Sequence, residues 1–222
     1  MSDMQDQQAV SDDILNLVEI RVLGVLAEKE ALTPDNYPLS LNVLTNGCNQ
    51  LTSREPVMSL DEEAVREALQ SLRQRKLVAE VSQSGARVAK YEHRMRIKWL
   101  LEQDKLAILA VLMLRGPQTA GELRNRMGRL HDFASIEEVE KGLQFLMDKY
   151  PPLATRLPRV PGAKEARYAH LLSGEPVVED CIPAATARPA SGLQALEQEV
   201  AELREQVASL TRQFEEFRRQ FE

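Results

Sequence analysis

The sequence predicts an α+β fold that is mainly helical, with small β-hairpins and one further helix toward the C-terminal end. Three observations lead to this prediction. A block of residues occurs twice along the chain, and each copy shows helical spacing followed by short extended stretches. The final segment, residues 193–222, instead carries a heptad pattern of apolar residues.

The duplication is clearest near the end of each copy. Residues 85–93, GARVAKYEH, match residues 162–170, GAKEARYAH, at five positions, and both basic positions exchange Arg for Lys. Residues 22–32 likewise resemble residues 108–118. Between these blocks the same apolar spacing recurs at Val65, Leu69, Leu72 and at Val139, Leu143, Leu146. Three matched blocks in one order indicate a duplicated unit of about 75 to 85 residues.

Each copy predicts three helices. The first is a dense apolar run at residues 20–28 and 106–114, and the second lies near residues 39–51 and 119–127. The third carries the matched Val and Leu positions, which fall on one helical face.

Capping residues mark where the third helix begins in each copy. Asp61 is a predicted N-cap, with Leu60 and Val65 placed to form a hydrophobic staple. Ser135 and Glu138 have the spacing of a capping box, in which each side chain bonds the backbone amide of the other residue.

After the third helix, each copy continues with a short apolar stretch, a glycine turn and a second extended stretch ending in Tyr-x-His. The first of these apolar stretches covers residues 77–81 and 153–157. Three helices followed by a hairpin are typical of a winged helix. The sequence therefore predicts two tandem winged-helix domains, at residues 19–98 and 99–172, each enclosing its own apolar interior.

The two ends differ from this central part. Residues 1–18 form an acidic segment with four acidic residues and no basic one, and residues 173–192 read as a proline-containing linker. The heptads of residues 193–222 predict a C-terminal coiled-coil helix whose β-branched a and Leu d positions favour a parallel homodimer. The alternatives are docking on the chain's own domains or on another protein. The predicted dimerisation residues are Leu196, Val200, Leu203, Val207 and Leu210.

A polar stripe follows the predicted second helix of the first copy. Its members are Asn42, Asn46 and Asn49. Because Asn is a poor helix former, three in one row suggest that their side chains have partners. One interpretation is contacts with the flanking loops, and the other is a surface that contacts a partner, since Asn binds adenine edges or peptide backbone.

The other face of that helix contains Leu41, Leu44, Cys48 and Leu51, which predicts that Cys48 is a small buried hydrophobe. The chain has only two cysteines, too few for a disulfide framework.

Several stretches together resemble a known family. They are residues 33–58, TPDNYPLSLNVLTNGCNQLTSREPVM, after EIRVLGVLAEKE, with the later GARVAKYEHRM and LAVLMLRGPQTAGELRNR. Over roughly residues 19–172 the chain is similar to the YceH family of uncharacterised bacterial proteins. The resemblance implies a pair of winged-helix domains and a bacterial origin, and it implies no established activity.

Winged helices commonly bind DNA with the third helix in the major groove and the wing near the backbone. Outward polar and basic positions on the third helices and wings are therefore candidate nucleic-acid-binding residues. They are Arg66, Gln70, Arg73, Arg87, Lys90, Lys141, Gln144, Lys164 and Arg167. Opposing them, the third helices open with acidic residues, at 61–63 and 137–138, which would repel phosphate. The alternative function is a protein–protein interaction scaffold that does not bind DNA.

The sequence offers little for an enzyme. Its three histidines lie in no HExxH motif or Cys/His cluster, and it contains neither a glycine-rich phosphate loop nor GxSxG. We therefore expect a non-enzymatic protein without a cofactor or metal. No apolar run is long enough to span a bilayer, and the N-terminus is unlike a signal peptide, so we expect a cytoplasmic protein with no membrane partner.

Overall fold

The computed structural model describes residues 14–81, 88–159 and 164–176. All of them lie in Met1–Cys181, the first of two units into which the chain divides. Arg87, Cys181 and the predicted coiled-coil helix lie outside the described residues, so dimerisation through that helix stays a prediction.

Among its described residues, the first half contains three α-helices and three strands. In chain order they are helix α1 (Leu17–Leu32), strand β1 (Leu39–Ser40), helix α2 (Leu41–Cys48), helix α3 (Glu62–Gln74), strand β2 (Val78–Val81) and strand β3 (Lys90–His93). A short 3-10 helix, Pro34–Asn36, follows α1. Strand β3 lies between β1 and β2 and is antiparallel to both.

The second half repeats this order. A short helix α4 (Met95–Trp99) leads into helix α5 (Gln103–Arg115), helix α6 (Ala120–Met127), helix α7 (Ile136–Met147), strand β4 (Ala154–Arg156) and strand β5 (Tyr168–His170). Strands β4 and β5 are antiparallel. Gln118 forms an isolated bridge to Tyr168, just as Leu39 of β1 pairs with Tyr91 in the first half. The fold is thus α+β, as predicted, with helices and small antiparallel strand pairs.

The second helix of the first half is shorter than predicted. Helix α2 begins at Leu41 because the two preceding residues form β1 and pair with β3. It ends at Cys48, so Leu51 lies beyond the helix and its side chain is 81% exposed. The prediction that Leu51 shares a buried face with Leu44 and Cys48 is therefore wrong, although Leu44 and Cys48 are fully buried.

The third helices begin as predicted, with one difference in a cap. Asp61 Oδ1 accepts a hydrogen bond from the Ala64 amide at 2.8 Å. Ser135 Oγ accepts from the Glu138 amide at 3.3 Å, which is one bond of the predicted capping box. The Glu138 carboxylate, however, accepts from the Ala134 amide at 3.0 Å, one residue before the cap. The second bond of the predicted capping box is therefore made with the Ala134 amide and not with the Ser135 amide.

A single apolar interior extends through both halves. Every residue of α1 from 19 to 28 is buried, and so is every residue of α5 from 106 to 114, because the two helices pack along each other and against the other helices of their own halves. Their backbones approach closely at Gly24, where a Cβ atom would lie 2.8 Å from Leu114 Cδ2. The expectation that each half encloses its own interior is therefore wrong, since most of the buried apolar residues of both halves form one cluster, beside a small second one of Leu157 and Ala169.

Among the described helices, none combines the length and apolar character required to cross a membrane.

Candidate nucleic-acid interface

The basic side chains on helix α3 of the first half are paired with carboxylates. Arg66 forms an ion pair with Glu63 one turn earlier, and Arg73 binds Glu80 of β2 at 2.6 Å. Gln70 is exposed between them. These pairs reduce the positive charge that this helix can present to a phosphate, because each cation already faces an acidic neighbour.

The second half presents its candidates differently. Lys141 and Gln144 are exposed on α7, where Gln144 Nε2 donates to Asp148 Oδ1 at 2.7 Å. Arg167 is partly buried and is engaged within the chain. It donates to the Pro117 carbonyl at 2.7 Å and pairs with Glu122 at 3.1 Å. Arg167 therefore holds the second strand pair against the start of α6.

The candidate residues on the predicted wings also differ in exposure. Lys90 is half-buried in β3, where its backbone lies opposite Ser40 and Val81. Lys164 is exposed and lines a groove between the second strand pair and the first turns of α6 and α7. Arg87 lies outside the described residues.

That groove contains a cationic cluster of which the sequence predicted only Lys164. Its volume is about 190 Å³, and Arg156, Arg159 and Lys164 line it. Within residues 14–81, 88–159 and 164–176, none of these three side chains forms an ion pair with a carboxylate. Glu140 and Glu165 also contribute to the lining. A sequence signal was present, because Arg156 and Arg159 follow the apolar start of β4 at short spacing.

The register of the strands shows how the two halves differ here. Arg156 lies opposite Tyr168 in the second half, and Glu80 lies opposite Tyr91 in the first. The same structural position thus carries a cation in one half and a carboxylate in the other. In the first half that carboxylate neutralises Arg73, whereas Arg156 faces the groove.

The predicted asparagine stripe separates into two parts. Asn49 bonds the backbone of Leu60 twice, donating to its carbonyl at 2.7 Å and accepting from its amide at 2.8 Å. Asn42 and Asn46 are exposed, with Asn42 donating to Glu62 at 3.2 Å and Asn46 donating to Asn42 at 3.2 Å. Asn49 therefore has the loop-anchoring role of the first interpretation, and the other two face solvent.

A buried polar cluster under the α2–α3 loop was missed in the sequence. The five N–H groups of Arg54 donate to both Glu28 oxygens, the Gln50 side chain and the carbonyls of Gly47 and Ser53. Arg54 lies within SREPVM. The sequence signal for a role was that this motif belongs to the stretch that resembles the YceH family.

A buried arginine and the thiol beside it belong to the same region. Arg21 donates to the carbonyls of Cys48 at 3.0 Å and Pro56 at 2.5 Å. Burial lowers the pKa of Arg21 and raises the pKa of the Cys48 thiol to about 12. Cys48 is thus a protonated core side chain, as predicted from its helical face.

Comparison with known proteins places the chain in a family. A family model described as a protein of unknown function, DUF480, matches residues 15–163. The chain belongs to the DUF480 family. The predicted resemblance to an uncharacterised bacterial family is confirmed.

Curated relatives of this DUF480 chain carry the name UPF0502 protein. The relative from Herminiimonas arsenicoxydans is 63% identical over 207 residues, covering 90% of this chain and 87% of the relative. The relative from Janthinobacterium sp. (strain Marseille) is 65% identical over 190 residues, covering 84% and 82%. A third, from Chromobacterium violaceum, is 52% identical over 195 residues, covering 86% and 87%.

The two strand-end histidines of this DUF480 protein have different surroundings. His93 Nε2 lies 3.2 Å from Glu30 Oε2, which also accepts two bonds from Arg96. Through these contacts, the pKa of Glu30 is lowered to about 2. His170 has no carboxylate partner among the described residues, and burial lowers its pKa to about 4. The part of the chain that the structure describes contains no cluster of three or more metal-ligating His, Cys, Asp or Glu side chains.

Proposed function

We propose that this DUF480 protein is a non-enzymatic regulatory protein that binds DNA, with its second half as the main contact surface. The observation that carries the proposal is the difference in charge pairing between helix α3 of the first half and the groove of the second half. Arg66 and Arg73 are neutralised by carboxylates, whereas Arg156, Arg159 and Lys164 surround an open groove without ion-pair partners among the described residues. Unpaired cations on one surface are what phosphate neutralisation requires.

The order of elements supports tandem winged-helix domains as the framework for this function. Each half has three main helices followed by two antiparallel strands, and in the first half β3 lies between β1 and β2. In a winged helix the third helix approaches the major groove and the wing contacts the backbone. The third helices would be α3 and α7, and the wings would be β2–β3 and β4–β5.

Acidic residues at the start of each third helix favour contact through the second wing. Asp61 caps α3 and Glu62 follows it, while Glu137 and Glu138 occupy the first turn of α7. These carboxylates complement the helix dipole but repel phosphate. We therefore propose that Lys141 and the groove cations contact the DNA backbone, and that the acidic N-termini of α3 and α7 do not enter the major groove.

Dimerisation would double this contact surface. We propose that the heptad segment, residues 193–222, forms a parallel coiled coil that brings two second halves to one duplex. Leu203→Lys places a charge at a d position, so we expect light scattering to show the monomer mass. Ser209→Lys, at an outward c position, adds the same charge and should leave the dimer intact. A dimer that survives Leu203→Lys would contradict the coiled coil.

The DNA-binding function is tested by titrating labelled fragments of the native genome with the full chain and following fluorescence anisotropy. We expect binding at about 50 mM salt that weakens steeply toward about 200 mM, because each neutralised phosphate releases counterions. The slope of log affinity against log salt then gives the number of phosphate contacts. Absence of binding at about 50 mM salt would contradict the proposal.

A second candidate function, a protein-interaction scaffold, is favoured by the exposed face of α2. Val43 is 47% exposed between Asn42 and Asn46, so this face combines apolar area with carboxamide groups. The test is a pull-down from the native lysate with the Asn42→Ala/Asn46→Ala variant. We expect a scaffold to lose its partner in this variant and to keep it in a Thr52→Ala control. Equal recovery with both variants would contradict the role of this face.

A further inference from the structure

The groove of the second half is large enough for a small organic molecule. Its volume of about 190 Å³ exceeds that of a cavity of about 150 Å³ that accommodates benzene. It is formed by the first residue of α6, the first turns of α7, the strands β4 and β5, and described residues of the connection between these strands. The groove therefore has room for a ligand larger than a single ion.

The cations of the groove suit a phosphate group. The guanidinium groups of Arg156 and Arg159 can each bind two oxygens of one phosphate, and Lys164 adds a compact positive charge. Within the described part of the chain these cations have no carboxylate at ion-pair distance, so a phosphate would not have to displace an existing partner.

The remaining lining indicates what accompanies the phosphate. Glu140 and Glu165 offer only acceptor oxygens, which bind hydroxyl or amino groups of a ligand. Ile136 and Tyr168 provide apolar area. A bare anion would meet repulsion from the two carboxylates, whereas a phosphate ester with hydroxyl groups would satisfy both kinds of residue.

The side of the groove formed by β5 is held against the start of α6. The Tyr168 amide donates to the Gln118 carbonyl at 2.7 Å, and the Gln118 amide donates to the Tyr168 carbonyl at 3.0 Å. Arg167 adds its bonds to Pro117 and Glu122. A groove with a fixed wall loses less conformational entropy when a ligand binds.

The first half differs at the corresponding position. Glu80 is located where the second half has Arg156, and it pairs with Arg73. The duplicated unit thus has a cation at this position only in its second copy.

We propose that this groove binds a small phosphomonoester with a hydroxyl-bearing body, the chemical class of sugar phosphates and nucleotides. The proposal goes beyond DNA binding, although both use phosphate chemistry. A free phosphomonoester and a DNA backbone phosphate would meet the same three cations, so the two are expected to compete.

The test is an NMR titration of the full, isotope-labelled chain with ribose 5-phosphate, following the backbone amides of Ala166 and Tyr168. We expect saturable shifts for the unchanged chain. The affinity for ribose 5-phosphate should be at least tenfold lower for Arg156→Gln. Arg66→Gln in the first half is the matched control and should bind as the unchanged chain does. The amide spectrum of each variant also shows directly whether it is folded.

Comparison ligands separate the sources of phosphate. Ribose alone should cause no saturable shift, and inorganic phosphate should bind more weakly than ribose 5-phosphate. Absence of saturable shifts with ribose 5-phosphate at millimolar concentration would overturn the proposal, even where duplex DNA shifts the same amides and the DNA function stands. Equal affinities for inorganic phosphate and ribose 5-phosphate would also overturn it, because the organic body would then contribute nothing.

Discussion

Arg54 binds both carboxylate oxygens of Glu28, at 2.8 and 2.9 Å, beneath the loop that joins α2 to α3. Both side chains are buried, and Arg54 reaches Glu28 across 26 positions of the sequence. Since its other donors bind the Gly47 carbonyl of α2, the Ser53 carbonyl and Gln50, this one side chain fixes the loop to α1 and to the end of α2. The loop in turn orients α3 through the Asn49–Leu60 bonds.

Replacing Arg54 by Ala should strongly destabilise the protein. The change leaves the Glu28 carboxylate buried without its main partner, for which the expected loss in the free energy of unfolding is about 3–5 kcal/mol. Urea unfolding followed by circular dichroism measures it. Arg66→Ala breaks an exposed ion pair and serves as the control, with an expected loss below about 1 kcal/mol. Similar losses for the two variants would contradict the anchoring role of Arg54.

The close approach of α1 and α5 predicts that Gly24→Ala destabilises the fold. The new Cβ atom would lie 2.8 Å from Leu114 Cδ2 and 3.3 Å from Met113 Cβ, so the buried Leu114 side chain must change its conformation or the two helices must separate. Overpacking of this kind costs about 1–3 kcal/mol in the free energy of unfolding, measurable by thermal or urea unfolding.

Gly121 provides the matched control for this interface. It is also helical, but a Cβ atom there would lie 3.9 Å from its nearest neighbours. Because Ala is a better helix former than Gly, Gly121→Ala should leave stability unchanged or raise it by up to about 1 kcal/mol. A Gly24→Ala variant as stable as Gly121→Ala would contradict the close packing of α1 against α5 at Gly24.

The Cys48 thiol should be unreactive in the folded protein. It is fully buried, and burial raises its pKa to about 12, so thiolate is scarce at neutral pH. In a Cys181→Ser background, Ellman's reagent should react slowly in buffer and rapidly in urea above the unfolding midpoint. Rapid reaction in buffer alone would contradict the buried placement of α2 against α1.

The contacts of Glu30 predict a specific pH dependence of stability. The His93 hydrogen bond and the Arg96 guanidinium hold the pKa of Glu30 at about 2, below its ordinary value of 4.5, although burial acts in the opposite direction. A carboxyl whose pKa is depressed by folding contributes stability above its unfolded pKa. That contribution is lost as pH falls through the folded pKa. The window for Glu30 is therefore between about pH 4.5 and 2.

Glu30→Gln isolates this contribution. The difference in free energy of unfolding between the unchanged chain and the variant should shrink as pH falls from 4.5 toward 2, because protonated Glu30 resembles Gln. Urea unfolding at a series of pH values measures that difference. A difference that stays constant across the window would show that Glu30 is not held ionised by His93 and Arg96.

Local sequence signals predicted the elements whose form depends on local residues. The spacing of Val65, Leu69 and Leu72 located α3, and Asp61 marked its start. The start of α2 was misplaced because Leu39 and Ser40 pair with β3, and a partner so far along the chain leaves no trace in local spacing.

The composition of helix α1 is a sequence signal for the shared interior. Helix α1 is apolar on nearly all sides, and such a helix must be covered all round. The candidate site was harder to predict, since the pairing of Arg73 with Glu80 depends on tertiary distance, and so does the lack of a carboxylate partner for Arg156 among the described residues.

The most direct test of the account compares two neutralised variants in one DNA-binding assay. Arg156→Gln/Lys164→Gln removes cations from the second-half groove, and Arg66→Gln/Arg73→Gln removes two from helix α3 of the first half. We predict that the groove variant binds a native genomic duplex at least tenfold more weakly, with a salt slope lower by about 2, one for each phosphate contact. The α3 variant should stay within about twofold of the unchanged chain. An equal or greater loss in the α3 variant would contradict the division of roles between the halves.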